Sequence, residues 1–445
     1  MNTIAVLLLR DEEGLPISMK NQGKFAFDEQ RFLRSFHLAF FAICAVTLLF
    51  SYRLGSLRID KGQAPGLRDI GTYFSGGLAI LQGDNPYENP FFRIGPTGGF
   101  LFGVLAKLAP DFLAATIIMA LSIFGFVYFV CTFAGYESLR SVPWLFMGVL
   151  IFISSQRENL VNVQITGVLA LFAALGFRLS ERSSKVAIFF STLFLAISIE
   201  TKPHLLGLFI LVVLIERREF QKFLRIIVAI LTSHVLLSLY IGKIITLEWA
   251  KIILDLGSKA SENELPERIA FDTLFKLFGV SSSVSTLIML SVFLFLSIAL
   301  LIQATTRSTY HLGLLIPSFG IFFHYYDLAL AFGLFLAFLY KQRNFRLLFL
   351  SIGLFLIPQN FSSTQNVVLI LLLLGILSIS VSGMKFRPLL INFAIGLISW
   401  LIYIMFVEAF SSSVDIHELS MSISIIYSLF IGIFLVARNS TSPKH

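Results

Sequence analysis

The chain has 445 residues, of which 56% are hydrophobic and only 13% charged, with a mean hydropathy of +0.85 and a formal charge of +8. A soluble protein of this length needs more polar surface, so the composition points to a polytopic membrane protein. The basic excess could suit nucleic acid, but the chain carries no basic-aromatic soluble module, and no nucleic-acid partner is expected.

The opening MNTIAVLLLRDEEG has no basic stretch ahead of its short apolar run and no cleavage-like site, so no signal peptide is expected. From residue 36 onward, apolar runs and their breaks predict about fourteen membrane segments. They lie near 36–54, 112–133, 142–154, 160–178, 186–200, 203–216, 224–242, 285–304, 311–323, 327–340, 346–357, 366–382, 388–407 and 420–437. The stretch 96–109 is expected to form an extra helix in or near the interface. Several runs fall short of the roughly 20 residues that cross a bilayer, so tilted, broken or re-entrant helices are expected among them. The predicted fold class is therefore an all-α polytopic membrane bundle, with 1–35 as a cytoplasmic segment and 36–445 as one membrane domain. Two long loops, 55–111 and 243–284, contain amphipathic stretches: YFSGGLAILQG and the run from Thr246 to Leu256. Helices lying on the membrane are expected there. Cys44 and Cys131 sit inside apolar runs and read as small core residues, not as a disulfide framework. No metal-ligand spacing such as C-x-x-C or H-E-x-x-H occurs, so no metal is expected.

Charge assigns the sides. The segments 1–34, 134–141, 178–185, 216–225, 305–310, 341–346, 383–388 and 438–445 hold most of the 34 Lys and Arg and a minority of the 26 acids. The positive-inside rule makes them cytoplasmic and predicts both termini inside, as an even number of spans in a plasma or inner membrane requires. Their basic residues then meet lipid headgroups. The breaks at 324–327, 358–365 and 408–419 hold no Lys or Arg and face outward. That same side collects Asp69, the SQRENLVNVQ stretch ending at Gln164, Lys202 and His204 in ETKPHL, the HYYD turn at His324 and the PQNFSSTQN stretch from Pro358. Merely solvated turns would fall on both sides. A one-sided set points to a working surface.

Each polar piece has a structural reading beside a chemical one. Asp69 can cap the amphipathic helix that follows it, or it can act as a base. Gly83-Asp84-Asn85-Pro86-Tyr87 is a turn signal by composition. Lys202 can snorkel to the interface, or it can face a phosphate beside the helix break that Pro203 imposes. Arg157 can serve the same phosphate or pair with Glu158. Asn162 and Gln164 suit sugar hydroxyls. Tyr325 and Tyr326 read as aromatic-belt residues, and His324 as a phosphate or sugar contact. Asp327 either caps the next helix or orients the site.

Taken together, these pieces resemble a known family. Asp69-x-x-x-Tyr73, then Gly83-x-Asn85-Pro86-Tyr87, then the apolar helix led by Pro96 resemble the first external loop of glycosyltransferase family 87. That family comprises polyprenyl-phosphate-dependent, mannosyltransferase-like enzymes of the GT-C superfold. Asn162-Val163-Gln164-Ile165-Thr166 is similar to its N-G-Q-x-[NT] stretch, Lys202-Pro203 with His204 to its K-P motif, and His324-Tyr325-Tyr326-Asp327-Leu328 to its H-x-Y-D-L motif. The four pieces keep order and spacing over roughly 60–335. The chain departs at Gly95, where the family has Tyr, and at Val163, where it has Gly.

The resemblance implies a GT-C-like bundle of 11 to 14 spans and a site with Asp69 as general base. Lys202 and His324 would steady the leaving phosphate, while Tyr73, Asn85, Tyr87, Arg157, Asn162, Gln164, His204 and Asp327 would contact substrate. The donor would be a polyprenyl-phosphate sugar, mannose or a related hexose or pentose, and the acceptor a hydroxyl of a glycan or glycolipid, among membrane lipids and with no cofactor. The chemistry is coherent: a hydroxyl nucleophile needs a proton acceptor, and a single inverting displacement needs only one base. Two alternatives are a transporter or flippase of a lipid-linked glycan and a non-catalytic homologue in glycan assembly. Transporters often show repeated halves and ionisable residues near the midplane, and no repeat is visible here.

Overall fold

Proline, glycine and charged residues punctuate the apolar runs, and the helices stop and start at them. The computed structural model describes residues 68–89, 92–109, 111–136, 144–151, 164–252, 278–303, 310–319, 327–342, 344–355 and 422–433, with isolated residues within 35–46, 153–160, 275–275 and 391–405. They are helical, with no strand among the described residues.

In chain order the helices are α1 (Arg68–Gln82), α2 (Pro96–Leu108), α3 (Asp111–Phe133), α4 (Trp144–Leu150), α5 (Thr166–Ser180), α6 (Lys185–Thr201), α7 (Leu208–Glu216), α8 (Phe220–Ile241), α9 (Ser282–Gln303), α10 (Tyr310–Leu315), α11 (Leu328–Lys341), α12 (Phe345–Phe355) and α13 (Ser422–Ile433). Local chemistry sets several ends. Pro96 starts α2, where its missing N–H costs nothing. Ser184 caps α6 by accepting from the Ala187 amide at 3.1 Å. Gly242 closes α8 at φ 74°, a left-handed position that glycine takes without strain.

Three described helices are long and apolar enough to cross a membrane: Leu113–Phe133, Phe220–Ile241 and Val284–Gln303. Five shorter apolar helices accompany them, including α2, α5 and α11. On α8 the side chains of Leu224, Leu231, Val235, Leu236 and Leu239 stand exposed, as a lipid-facing surface requires.

Seven expected segments match closely: 96–109, 112–133, 186–200, 224–242, 285–304, 327–340 and 346–357 correspond to α2, α3, α6, α8, α9, α11 and α12. Others differ for physical reasons. The run 203–216 opens with a wide π turn, Pro203–Gly207, before α7. Proline cannot continue the ladder of α6, and the Leu205 and Leu206 amides both return to the Lys202 carbonyl, at 3.1 and 3.0 Å. The run 311–323 begins as α10 and tightens into a 3₁₀ turn, Ile316–Phe319, around Pro317. α5 begins at Thr166 rather than near 160, leaving Gln164 in irregular backbone. Within the expected run 142–154 the described helix is α4, and residues 142, 143, 152 and 154 lie outside the described residues. The expected segments 366–382 and 388–407 and most of 36–54 lie outside the described residues, as does much of the 243–284 loop beyond a helix at 245–252.

Small residues let the backbones meet. A Cβ on Gly77 of α1 would lie 2.4 Å from the Gly103 amide nitrogen of α2, and one on Gly103 would lie 2.2 Å from the Gly77 oxygen. α3 and α5 meet the same way, through Gly125 and Gly167. Such backbone contact is how apolar helices associate where burial from water offers little drive. α6 is central: α2, α5 and α8 all pack against it. α11 packs on α3, α10 and α12.

Candidate functional site

Polar side chains gather where α6 ends. α6 stops at Thr201, and Lys202 takes a non-helical conformation (φ −136°, ψ 70°) as its C-cap. A cation there suits the negative end of the helix dipole. Lys202 Nζ donates to Asp327 Oδ1 at 2.6 Å and to Thr166 Oγ1 at 2.9 Å. Thr166 Oγ1 also donates to Asp327 Oδ1 at 3.2 Å. His204, two residues onward in the π turn, brings Nε2 to 3.5 Å from Asp327 Oδ2.

Asp327 is fully buried and Lys202 is 6% exposed. A charge in such a place must be paired and hydrogen-bonded to be tolerated, and here both conditions hold. Asp327 occupies the N-cap position of α11, yet its side chain makes no capping bond. The cap reading is thus corrected: the carboxylate turns to Lys202 instead.

A second link ties this pair to α1. Tyr73 OH donates to Gln164 Oε1 at 3.0 Å, in a buried contact. Gln164 is anchored in turn, because Ser122 Oγ of α3 donates to its backbone oxygen at 3.1 Å. Only Ile165 separates Gln164 from Thr166. Asp69 lies in the first turn of α1, four residues before Tyr73 and on the same helix face. Its backbone is therefore about 6 Å from that of Tyr73 along the helix axis. Its side chain lies outside the described residues. The path from Asp69 to Lys202 thus runs along one turn of α1, across Tyr73 to Gln164, and through Thr166.

The loop motif has a structural task of its own. Asn85 Oδ1 accepts from the Tyr87 amide at 3.2 Å and caps a 3₁₀ turn, Pro86–Glu88. Tyr87 is buried, and its hydroxyl donates to the Ile94 oxygen at 3.0 Å. Burial first, and the Glu200 carboxylate second, push that hydroxyl well above its ordinary value of 10.0. It remains a donor across the physiological range. Of the other expected site residues, Arg157, Asn162 and His324 lie outside the described residues, as do Tyr325 and Tyr326.

Sequence reasoning missed Glu200 and His234. Glu200 is 2% exposed, and its Oε1 accepts from the Thr97 amide at 2.6 Å. Gly95, the N-cap of α2, has no side chain to do this, so a carboxylate from α6 stabilises that helix N-terminus instead. His234 of α8 brings Nε2 to 3.3 Å from the same oxygen, and its Nδ1 lies 2.9 Å from Thr246 Oγ1. Both residues are ionisable and both stand in apolar runs, which is the signal that marks them. The geometry also explains Gly95: a Cβ there would fall 2.4 Å from Glu200 Cγ and 2.7 Å from the Glu200 oxygen.

The opposite ends of these helices look different. Arg178 and Glu181 close α5, Arg217 follows α7, and Lys341 ends α11. Lys341 Nζ donates to the Ala134 and Gly135 oxygens, and Arg217 meets Glu181 at 3.4 Å. No group of His, Cys, Asp and Glu among the described residues is arranged to hold a metal ion. No protein-family model matches the chain, and no curated protein compared with it matches either.

Proposed function

We propose that the protein is a membrane glycosyltransferase with a GT-C-like bundle, moving a sugar from a polyprenyl-phosphate donor to a hydroxyl of a glycan or glycolipid. One observation carries this reading. Three stretches far apart in sequence, around Gln164, Lys202 and Asp327, converge on one buried ion pair, and Tyr73 ties the helix that carries Asp69 to the same place. Arg178, Lys185, Arg217, Lys222 and Lys341 stand at the other helix ends, which by the positive-inside rule supports a non-cytoplasmic cluster. Nucleotide sugars are cytoplasmic, so a lipid-phosphate sugar suits a site there.

In this reading Asp69 removes the proton of the acceptor hydroxyl as its oxygen attacks the anomeric carbon. The bond to the donor phosphate breaks, and the polyprenyl phosphate leaves with the electron pair. Asp327 and Thr166 fix Lys202 at the mouth of the α6–α7 break. Lys202 and Asp327 form an ion pair, and His204 stands beside it with Nε2 3.5 Å from Asp327 Oδ2. His324, four residues before Leu328, is the other imidazole for the phosphate. Fixed positive groups of this kind stabilise a departing anion without reorganising.

The test is sugar transfer from polyprenyl-phosphate mannose and related donors by purified protein in liposomes. Asp69→Asn keeps size and polarity but takes no proton. It should bind donor and lose transfer by about 100-fold or more. Turnover at the wild-type rate by a folded Asp69→Asn variant would remove Asp69 as the base.

A further inference from the structure

We propose that Glu200 is a positioning residue that holds the α1–α2 hairpin, and with it Asp69, in register with the Lys202–Asp327 pair. The inference rests on the glycosyltransferase reading for its kinetic consequence, but its structural half stands by itself. Glu200 and Lys202 are two residues apart at one helix end, and they point to different neighbours. Lys202 reaches α5 and α11 through Thr166 and Asp327. Glu200 reaches the start of α2 through the Thr97 amide, and α8 through His234. Thr201 between them packs against α2: a Cβ on Gly98 would stand 2.3 Å from Thr201 Oγ1.

α2 is the platform for α1. Their glycines meet backbone to backbone, so α1 has little freedom to shift unless α2 moves with it. Fixing the first turn of α2 therefore fixes Asp69. Thr97 adds a second tie, since its Oγ1 donates to Ser233 Oγ of α8 at 2.8 Å. Trp249 adds a third: its ring packs edge-on against His234, and its Nε1 donates to the Arg93 oxygen at 3.2 Å, just ahead of α2. Glu200 makes its hydrogen bond from α6, the element that also presents Lys202. One helix end thus carries both the hydrogen bond to the hairpin and the lysine of the ion pair.

Two variants separate position from charge. Glu200→Gln keeps an oxygen for the Thr97 amide and removes the charge. Gly95→Ala keeps the carboxylate but places a methyl group against Glu200, forcing it off the Thr97 amide. Positioning predicts that Gly95→Ala and Glu200→Ala behave alike, and that Glu200→Gln is close to wild type. The readouts are amide hydrogen exchange over 70–74 and 95–99, and steady-state transfer. In Glu200→Ala and Gly95→Ala, exchange should accelerate about 10-fold in both windows while α3 and α11 stay protected. Donor KM should hold within about two-fold while kcat falls about 10- to 100-fold, as a misplacement of the base near 1 Å would cause. Unchanged exchange in Glu200→Ala overturns the proposal. So does accelerated exchange with an unchanged kcat, or a Glu200→Gln variant as poor as Glu200→Ala. Wild-type protein that transfers no sugar would instead overturn the glycosyltransferase reading, and the exchange windows would still decide whether Glu200 holds the hairpin.

Discussion

Lys202 and Asp327 allow a prediction in which two damaging changes repair each other. Replacing Asp327 by Leu leaves the Lys202 ammonium at 6% exposure without its anion. Replacing Lys202 by Met leaves a fully buried carboxylate with Thr166 at 3.2 Å and His204 at 3.5 Å. Each single change strands a charge, and breaking a buried pair in this way costs about 3–5 kcal/mol. The double variant strands none. It loses the pair's attraction together with its desolvation penalty, and should lie within about 2 kcal/mol of wild type, most of that from the Thr166 hydroxyl losing its partners. The interaction energy is therefore at least about 4 kcal/mol. Reversible unfolding in mixed micelles, compared at one detergent composition, measures all four corners of the cycle. Losses that add within about 0.5 kcal/mol would refute the reasoning, since the two groups would then not be sensing each other. Activity gives a second discrimination. A stable double variant that transfers no sugar assigns the pair to the reaction, whereas one with full transfer assigns it to the fold.

Two other outcomes follow from contacts around the hairpin. Gly103→Ala sets a methyl group 2.2 Å from the Gly77 oxygen, where no side chain can swing aside; α1 and α2 must part, and the same unfolding assay should register about 1–3 kcal/mol. Tyr87 has a folded-state pKa raised above its ordinary value of 10.0, so the folded protein binds more protons than the unfolded chain at alkaline pH. Its contribution is complete below that value and is lost as pH rises above it. A stability titration should therefore fall there more steeply in wild type than in Tyr87→Phe, which at neutral pH is about 1 kcal/mol weaker for want of the Ile94 bond.

The helices were legible because apolar runs end at residues with known habits. Pro96, Ser184 and Gly242 each mark a boundary that composition already suggests. The breaks were less legible. Pro203 announces an interruption, but whether the chain leaves the membrane there or continues as a π turn depends on whether the backbone after the proline finds partners. Here the Leu205 and Leu206 amides find the Lys202 carbonyl. Asp327 shows the same limit: N-cap position and ion-pair partner look identical in sequence, and only the approach of α6 decides between them. Glu200 was hidden by its neighbours. It precedes the more conspicuous Lys202-Pro203, and its partner amide at Thr97 is 103 residues away. No local pattern encodes a helix capped from another helix, although a glycine N-cap with no side chain of its own is a hint.

The polar groups of this site stand where helices fail, and the two facts have one cause. Inside an apolar bundle an uninterrupted helix satisfies its own backbone and offers side chains only sideways. An interrupted one frees amides and carbonyls, which need partners buried in protein because lipid offers none. At the end of α6 several such needs are met together: the Lys202 carbonyl by two amides of the π turn, the start of α2 by Glu200, and the Thr166 hydroxyl at the start of α5 by Lys202 and Asp327. These contacts close backbone ends and charges within the protein itself, with no ligand needed to hold them. Such preorganisation is what a group-transfer site needs, because dipoles already in place cost nothing to orient as charge develops. It also predicts that the ion pair resists piecemeal change: removing Lys202 or Asp327 alone leaves the other unsatisfied, so either single substitution should harm folding together with the proposed transfer, and the paired one should separate the two.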